Sequence, residues 1–406
     1  MNLPTATETP TERHSSEGDL ALALGGGGAR AAYQAGFLHA VSKRFPDLGM
    51  PILTGVSAGA INTAFLANDP SGFEARASKL CSLWSSLRTE SVFDASSASL
   101  GSTVLRWGMR LISGGSRVSP RPHGMVDTAP LRKFLSATLG ADESGVLTGV
   151  AQNLQSGRLR AAAITTTNYA TSQSVTWVQG RDVPMWTRPM RMSVATTLRV
   201  DHIMGSAALP LFFPAVNIND EWHGDGGIRL TAPLSPALHL GAARILAIST
   251  RYQRTRSDPL TSVTRAYPAP AHVLGVLMSA IFLDNFDHDA MNLDRMNKLI
   301  ESLPENARLG LRPVDLLIVR PTRDLAKIAG EHEIQLPRSF RFLLRGLGTR
   351  ESKSPESLSM VLFEPDYVNR LLELGRADAE ARMGDIEAFL GGERMQGLNR
   401  TGFWRL

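Results

Sequence analysis

The chain has 406 residues, 43% hydrophobic and 20% charged, with a formal net charge of +5. That length accommodates one large α/β domain, with or without a smaller appendage, and the balance is that of a globular enzyme. The charge excess is small and spread out, and no dense Lys/Arg run is interleaved with aromatics, so a nucleic-acid partner is excluded.

The polar lead, residues 1–18, has no continuous apolar core of the kind a signal peptide needs, and it reads as disordered. A buried strand is predicted at Leu20 to Leu24, stopped by four glycines, then a helix over Ala29 to Val41 with apolar residues at helical spacing. Ile52 to Thr54 forms a second strand, followed by Gly55-Val56-Ser57-Ala58-Gly59 and a helix to Ala67. Two strand–turn–helix units in succession are the rhythm of a parallel sheet covered by helices. The lone cysteine, Cys81, allows no intramolecular disulfide and fits a reducing, cytoplasmic setting, although a cysteine-poor periplasmic protein would look the same. Between Ser91 and Gly124 the composition turns to Ser, Gly, Arg and Pro, the mark of a cap or a surface insertion. Its Arg106, Arg110, Arg117 and Arg121 read equally as phosphate contacts or as solvated loop charges.

A helix is expected near Pro130 to Leu139, strands at Leu159 to Thr166 and Ser174 to Val178, and a helix over Met192 to Ala208. Strands follow at Leu211 to Ile218, Ile245 to Ser249 and Leu316 to Val319. The stretch Val273 to Leu283 is shorter than the about 20 apolar residues that cross a bilayer. The helix around it, Val273 to Phe286, reads as core or as a place of peripheral membrane contact. From about Arg323 the chain is charged and helical, so the expected organisation is a lead (1–18), a catalytic domain (19–322, with the insertion at 91–124) and a helical C-terminal extension (323–406).

Gly55-x-Ser57-x-Gly59 stands at a strand-to-helix corner, where a serine on strained backbone holds its oxygen clear of the chain and near a helix N-terminus. Gly25-Gly26-Gly27-Gly28-Ala29-Arg30 stands at the preceding corner, and consecutive glycines let amides converge on an anion. Arg30 steadies that loop, attracts an anionic head group, or is a plain first-turn surface arginine. The same glycines satisfy a dinucleotide fingerprint, Gly26-x-Gly28-x-x-Ala31, but Asp47 precedes the second strand instead of ending it. The serine needs a proton acceptor. His202, His239, His272, His288 and His332 fall in predicted helices without a turn motif, and His223 precedes a tighter one, Gly224-Asp225-Gly226-Gly227. There, flanking glycines let one carboxylate project into a confined space, although such a run is also a common turn.

GGGGAR, GVSAG and DGG, in this order and spacing, resemble the patatin-like phospholipase family. Ser206-Ala207-Ala208-Leu209-Pro210 with Phe213-Pro214, and Pro233-Leu234-Ser235-Pro236-Ala237, resemble the segments on either side of the family's aspartate loop. Ala31 departs from a usual glycine and Thr231 from a frequent Asn. The resemblance implies a three-layer α/β/α sandwich with a mainly parallel sheet. It implies Ser57 as nucleophile and Asp225 as general base, the amides of Gly26, Gly27 and Gly28 as oxyanion hole, and Gly55, Gly59, Gly226, Gly227 and Arg30 in support. It further implies an acyl-enzyme, a phospholipid or other acyl-ester lipid as substrate, and neither cofactor nor metal. Two other readings stand beside it: a non-catalytic, membrane-associated lipid-binding relative, and a dinucleotide-binding oxidoreductase.

Overall fold

The structure, a computed structural model, describes residues 19–94, 109, 124–252, 270–282, 285–332 and 356–391. The polar lead and nearly all of the 91–124 insertion, its four arginines included, lie outside the described residues. The described strands are β1 (Leu20–Leu24), β2 (Ile52–Val56), β3 (Ala161–Asn168), β4 (Ser174–Gly180), β5 (Thr187–Arg188), β6 (Arg191–Ala195), β7 (Val216–Ile218), β8 (Glu221–Asp225), β9 (Arg244–Ile248) and β10 (Asp315–Val319). They form one sheet in the order β10-β9-β1-β2-β3-β4-β6-β5, with β8 also on β3 and β7 on β8. From β10 to β3 every pairing is parallel, while β4 and β8 run antiparallel to β3.

Strands buried on both faces need apolar residues throughout, and β1 is Leu-Ala-Leu-Ala-Leu with all five side chains buried. Its alternation sorts them into two cores. Leu20, Leu22 and Leu24 face α1 (Ala32–Arg44), α2 (Ala58–Asn68) and α3 (Phe73–Ser86). Ala21 and Ala23 face the other way, toward α4 (Ser235–His239) and α5 (Asn285–Ser302), which contribute Ala237, Phe286 and Leu293. Helices cover both faces of a mainly parallel sheet, as the expected sandwich requires.

The C-terminal extension packs into the same body. Its helix α6 (Pro365–Ala381) lies along α1 at very short range: a Cβ on Gly36 would meet Leu372 O at 2.1 Å, and one on Gly375 would meet Tyr33 O at 2.2 Å. Tyr33 Oη donates to Asp378 Oδ2 across this seam at 3.0 Å. Small residues on both helices are what permit such an approach.

Two sequence expectations need correction. Met192 to Ala208 is not one helix: β6 covers Arg191–Ala195, where Met192 and Val194 pair with Val175 and Trp177 of β4, and the helix is confined to Val200–Ser206. Sheet pairing overrides a helix-like spacing there. Leu211 to Ile218 is strand only over Val216–Ile218, because Leu211 takes φ 68° and turns the chain.

Candidate active site

Ser57 occupies the corner between β2 and α2 with φ 56° and ψ −131°, a conformation rare for any residue but glycine. Its neighbours explain how the corner closes. A Cβ on Gly55 would lie 2.4 Å from Gly59 O, and one on Gly59 would lie 2.3 Å from Leu24 O and 2.5 Å from Gly25 O. The glycines thus seat the first turn of α2 on the end of β1, bringing the two motif loops together. The Ser57 amide donates to Ser206 Oγ at 2.9 Å, and Ser206 Oγ donates to Thr165 O at 2.6 Å, so the strained turn is tied to β3.

Asp225 reaches this corner through strand register. Along β3, β2 pairs up to Thr165, opposite Val56, and β8 takes over at Thr166, opposite Asp225. β2 and β8 therefore run toward each other along β3, and the residue after one and the last residue of the other meet. The hairpin β7–β8 turns on Asn219 and Asp220, both at positive φ (52° and 64°), as a two-residue type I′ connection requires. Gly226 must be glycine, since a Cβ there would sit 2.1 Å from Thr165 O.

The Asp225 side chain is fully buried. Oδ1 accepts from the Gly227 amide at 2.8 Å, and Oδ2 has no hydrogen-bond partner among the described residues. Burial pushes its pKa up to about 7, while the nearby Ser57 hydroxyl, short of a full hydrogen bond, and the bonded Gly227 amide partly offset it by favouring the ionised form.

The glycine loop wraps the other side of Ser57. A Cβ on Gly26 would lie 2.9 Å from Ser57 Cβ and 3.5 Å from Ser57 Oγ. Three carbonyls of the loop are fixed from behind: Gly25 O accepts from Gln34 Nε2 (2.9 Å), Gly26 O from Thr250 Oγ1 (2.6 Å) and Gly27 O from the Arg30 amide (3.2 Å). In a trans peptide the N–H opposes the C=O, so the amides of Gly26, Gly27 and Gly28 are turned away from those donors. Gly27 and Gly28 line a cleft together with Ser57, and the rest of its wall is apolar, including Trp84, Leu135, Phe213 and Phe363.

Arg30 does not face the cleft. It is buried and bonded to Ser359 Oγ through Nε at 2.8 Å, and its guanidinium pairs with the Glu356 carboxylate. Its burial sets aside the reading of Arg30 as a plain surface arginine. Among the described residues no histidine is bonded to Ser57: His223 Nδ1 contacts Thr166 Oγ1 (3.0 Å), and burial lowers the pKa of His202 to about 4. Sequence reasoning missed Gln34, Thr250 and the C-terminal wall of the cleft. The one visible cue was Ser249-Thr250, two hydroxyls directly after apolar β9.

The sequence matches the family model described as "Patatin-like phospholipase" over residues 22–238, a span holding both motif loops, Ser57 and Asp225. The chain belongs to the patatin-like phospholipase family. Distant likenesses of fold accompany this. Human GIVD cytosolic phospholipase A2 in complex with methyl gamma-linolenyl fluorophosphonate is 14% identical with a TM-score of 0.40, over 92% of this chain and 59% of that one. VipD from Legionella pneumophila is 14% identical with a TM-score of 0.29, over 95% of this chain and 82% of that one. The chain thus spans about three fifths of the human phospholipase structure. No curated protein matches the sequence. Patatin-like family members are lipid hydrolases, and among the described residues no helix is long and apolar enough to cross a membrane.

Proposed function

We propose that the protein is a lipid acyl hydrolase in which Ser57 and Asp225 form a two-residue catalytic device. One observation carries this reading: the ends of β2 and β8 abut on β3, so the serine corner and a buried carboxyl of raised pKa adjoin beneath an apolar cleft. Asp225 takes the hydroxyl proton as Ser57 Oγ attacks the ester carbonyl carbon. The carbonyl oxygen becomes an oxyanion against the amides of Gly26, Gly27 and Gly28. The tetrahedral species collapses, the alcohol leaves with the proton from Asp225, and the acyl group stays on Ser57. Water then gives its proton to Asp225 and attacks the acyl carbonyl. Collapse releases the fatty acid and returns the proton to Ser57.

A base with pKa near 7 suits this work, because about half of it is ionised at neutral pH and it accepts a proton readily. Loss of one oxyanion donor typically costs about 2.7–4 kcal/mol, so the fixed loop is central to rate. The apolar wall of the cleft favours a fatty acyl chain over a polar substrate.

The test combines fluorophosphonate labelling with fatty-acid release from phosphatidylcholine vesicles. Wild type is expected to label at Ser57. Asp225→Asn should lose about 10²–10⁴-fold in turnover, and Ser57→Ala, which removes the nucleophile, more than that, both remaining folded by circular dichroism. Undiminished ester hydrolysis by Ser57→Ala would overturn the assignment.

A further inference from the structure

The family model ends at residue 238, yet the cleft does not. Met360, Val361 and Phe363 come from the far end of the chain and line the same space as Ser57, Gly27 and Gly28. They belong to a short helix, Glu356–Val361, and the residues just after it. This segment touches the glycine loop in two separate ways. A Cβ on Gly28 would lie 2.0 Å from Met360 O, so the loop backbone rests directly on it. Arg30, two residues along, is held by Glu356 through an ion pair and by Ser359 Oγ through Nε at 2.8 Å. Arg30 is only 3% exposed, and its amide closes the turn on Gly27 O. A buried guanidinium left without its carboxylate must reorient or draw in water. Movement of Arg30 would carry Gly27 and Gly28 with it.

We infer that residues 356–363 form a strap that completes the acyl site. Glu356 and Ser359 act as positioning residues for the glycine loop by way of Arg30, and Val361 and Phe363 determine which acyl chains fit. The inference rests on the hydrolase reading for its effect on rate, and on the cleft alone for its effect on binding. Specificity is thereby assigned to a segment outside the stretch that identifies the family.

The experiment uses the full chain. Hydrolysis of soluble butyrate and dodecanoate esters is compared across variants, and binding of a fluorescent dodecanoic acid is measured in parallel. Glu356→Ala should lower kcat on both esters about a hundredfold with KM little changed, the scale expected when a fixed group is displaced by about 1 Å. Glu356→Gln, which keeps a hydrogen-bonding oxygen for Arg30, should restore most of that loss. Should Glu356→Ala fail to fold, Ser359→Ala removes one hydroxyl only and should lower kcat in the same manner. Val361→Trp should weaken dodecanoic acid binding and lower dodecanoate turnover about tenfold more than butyrate turnover, because a short chain needs less of the cleft. Should this buried position not accept tryptophan, Val361→Ala should shift the same ratio toward the longer ester.

Unchanged chain-length preference and unchanged fatty-acid binding in Val361→Trp would overturn the specificity role. A Glu356→Ala defect confined to KM, or one that Gln does not rescue, would overturn the positioning role. Failure of the hydrolase reading itself shows elsewhere, as full turnover by Ser57→Ala, and the binding arm still decides the strap in that case.

Discussion

At the scale of the residue, Asp225 sets the pH behaviour. Its pKa of about 7 in the folded protein, against 3.8 for a free side chain, arises first from burial. The proposed base works only when ionised, so kcat/KM is expected to rise with pH through an acidic limb near 7, and a limb near 4 in a pH–rate profile would refute it. Stability carries the opposite mark. The folded state binds this proton more tightly than the unfolded chain does, so ionisation opposes folding progressively from about pH 4 to pH 7, and fully above that. Asp225→Asn removes the charge and should be stabilised relative to wild type by an amount that grows over that window, to a few kcal/mol at most. Denaturant titrations at pH 5 and pH 8 measure the difference. An equal offset at both values would contradict the burial argument.

Thr250 offers a finer test at the same scale. Its hydroxyl holds Gly26 O at 2.6 Å while the residue itself is buried. Thr250→Val keeps the shape and leaves that carbonyl without its donor. Turnover should fall on the order of tenfold with little change in KM, because the peptide that orients the Gly27 amide loosens. A change in KM alone would assign Thr250 to substrate binding instead.

Among elements, the tightest demand is the glycine seam between α1 and α6. Gly36→Ala would place a methyl about 2 Å from the Leu372 carbonyl, and backbone cannot yield as a side chain can. A loss of about 1–3 kcal/mol or more is expected, seen as a lower Tm. Gly49, with nothing within 4 Å of its would-be Cβ, is the control, and Gly49→Ala should change stability by no more than about 0.5 kcal/mol. The same seam marks where sequence reading stopped. β1, β2 and both motif corners were legible because short apolar runs ending in glycines have few other solutions. β8 was not, since Trp222-His223-Gly224 lacks the β-branched run of a buried strand and its glycines read as loop. The strap was equally opaque: nothing in Glu356 or Ser359 points to Arg30 more than 320 positions away, and only folding puts them in contact.

For the whole molecule, the C-terminal helices complete the core instead of hanging from it. Trp84 lies in the core on one face of the sheet and Trp186 in the core on the other, so variants that retain one or the other of the chain's six tryptophans report each layer. Thermal melts followed by fluorescence and by far-UV circular dichroism are expected to coincide in one transition. An early transition that removes helix signal while both tryptophans stay buried would show the C-terminal helices melting independently. The glycine loops, the serine corner and the cleft wall would then have to be treated as separate units.

The two-residue turn at Asn219–Asp220 has an evolutionary corollary. Side chains along a strand alternate between faces, so a one-residue slip of β8 against β3 would send the Asp225 carboxyl to the other side. An odd insertion carried from this turn into β8 would leave every signature of the family intact in the text of the gene and silence the protein. An even one would be forgiven. Homologues should therefore vary in this hairpin by twos, a pattern that can be sought by counting letters.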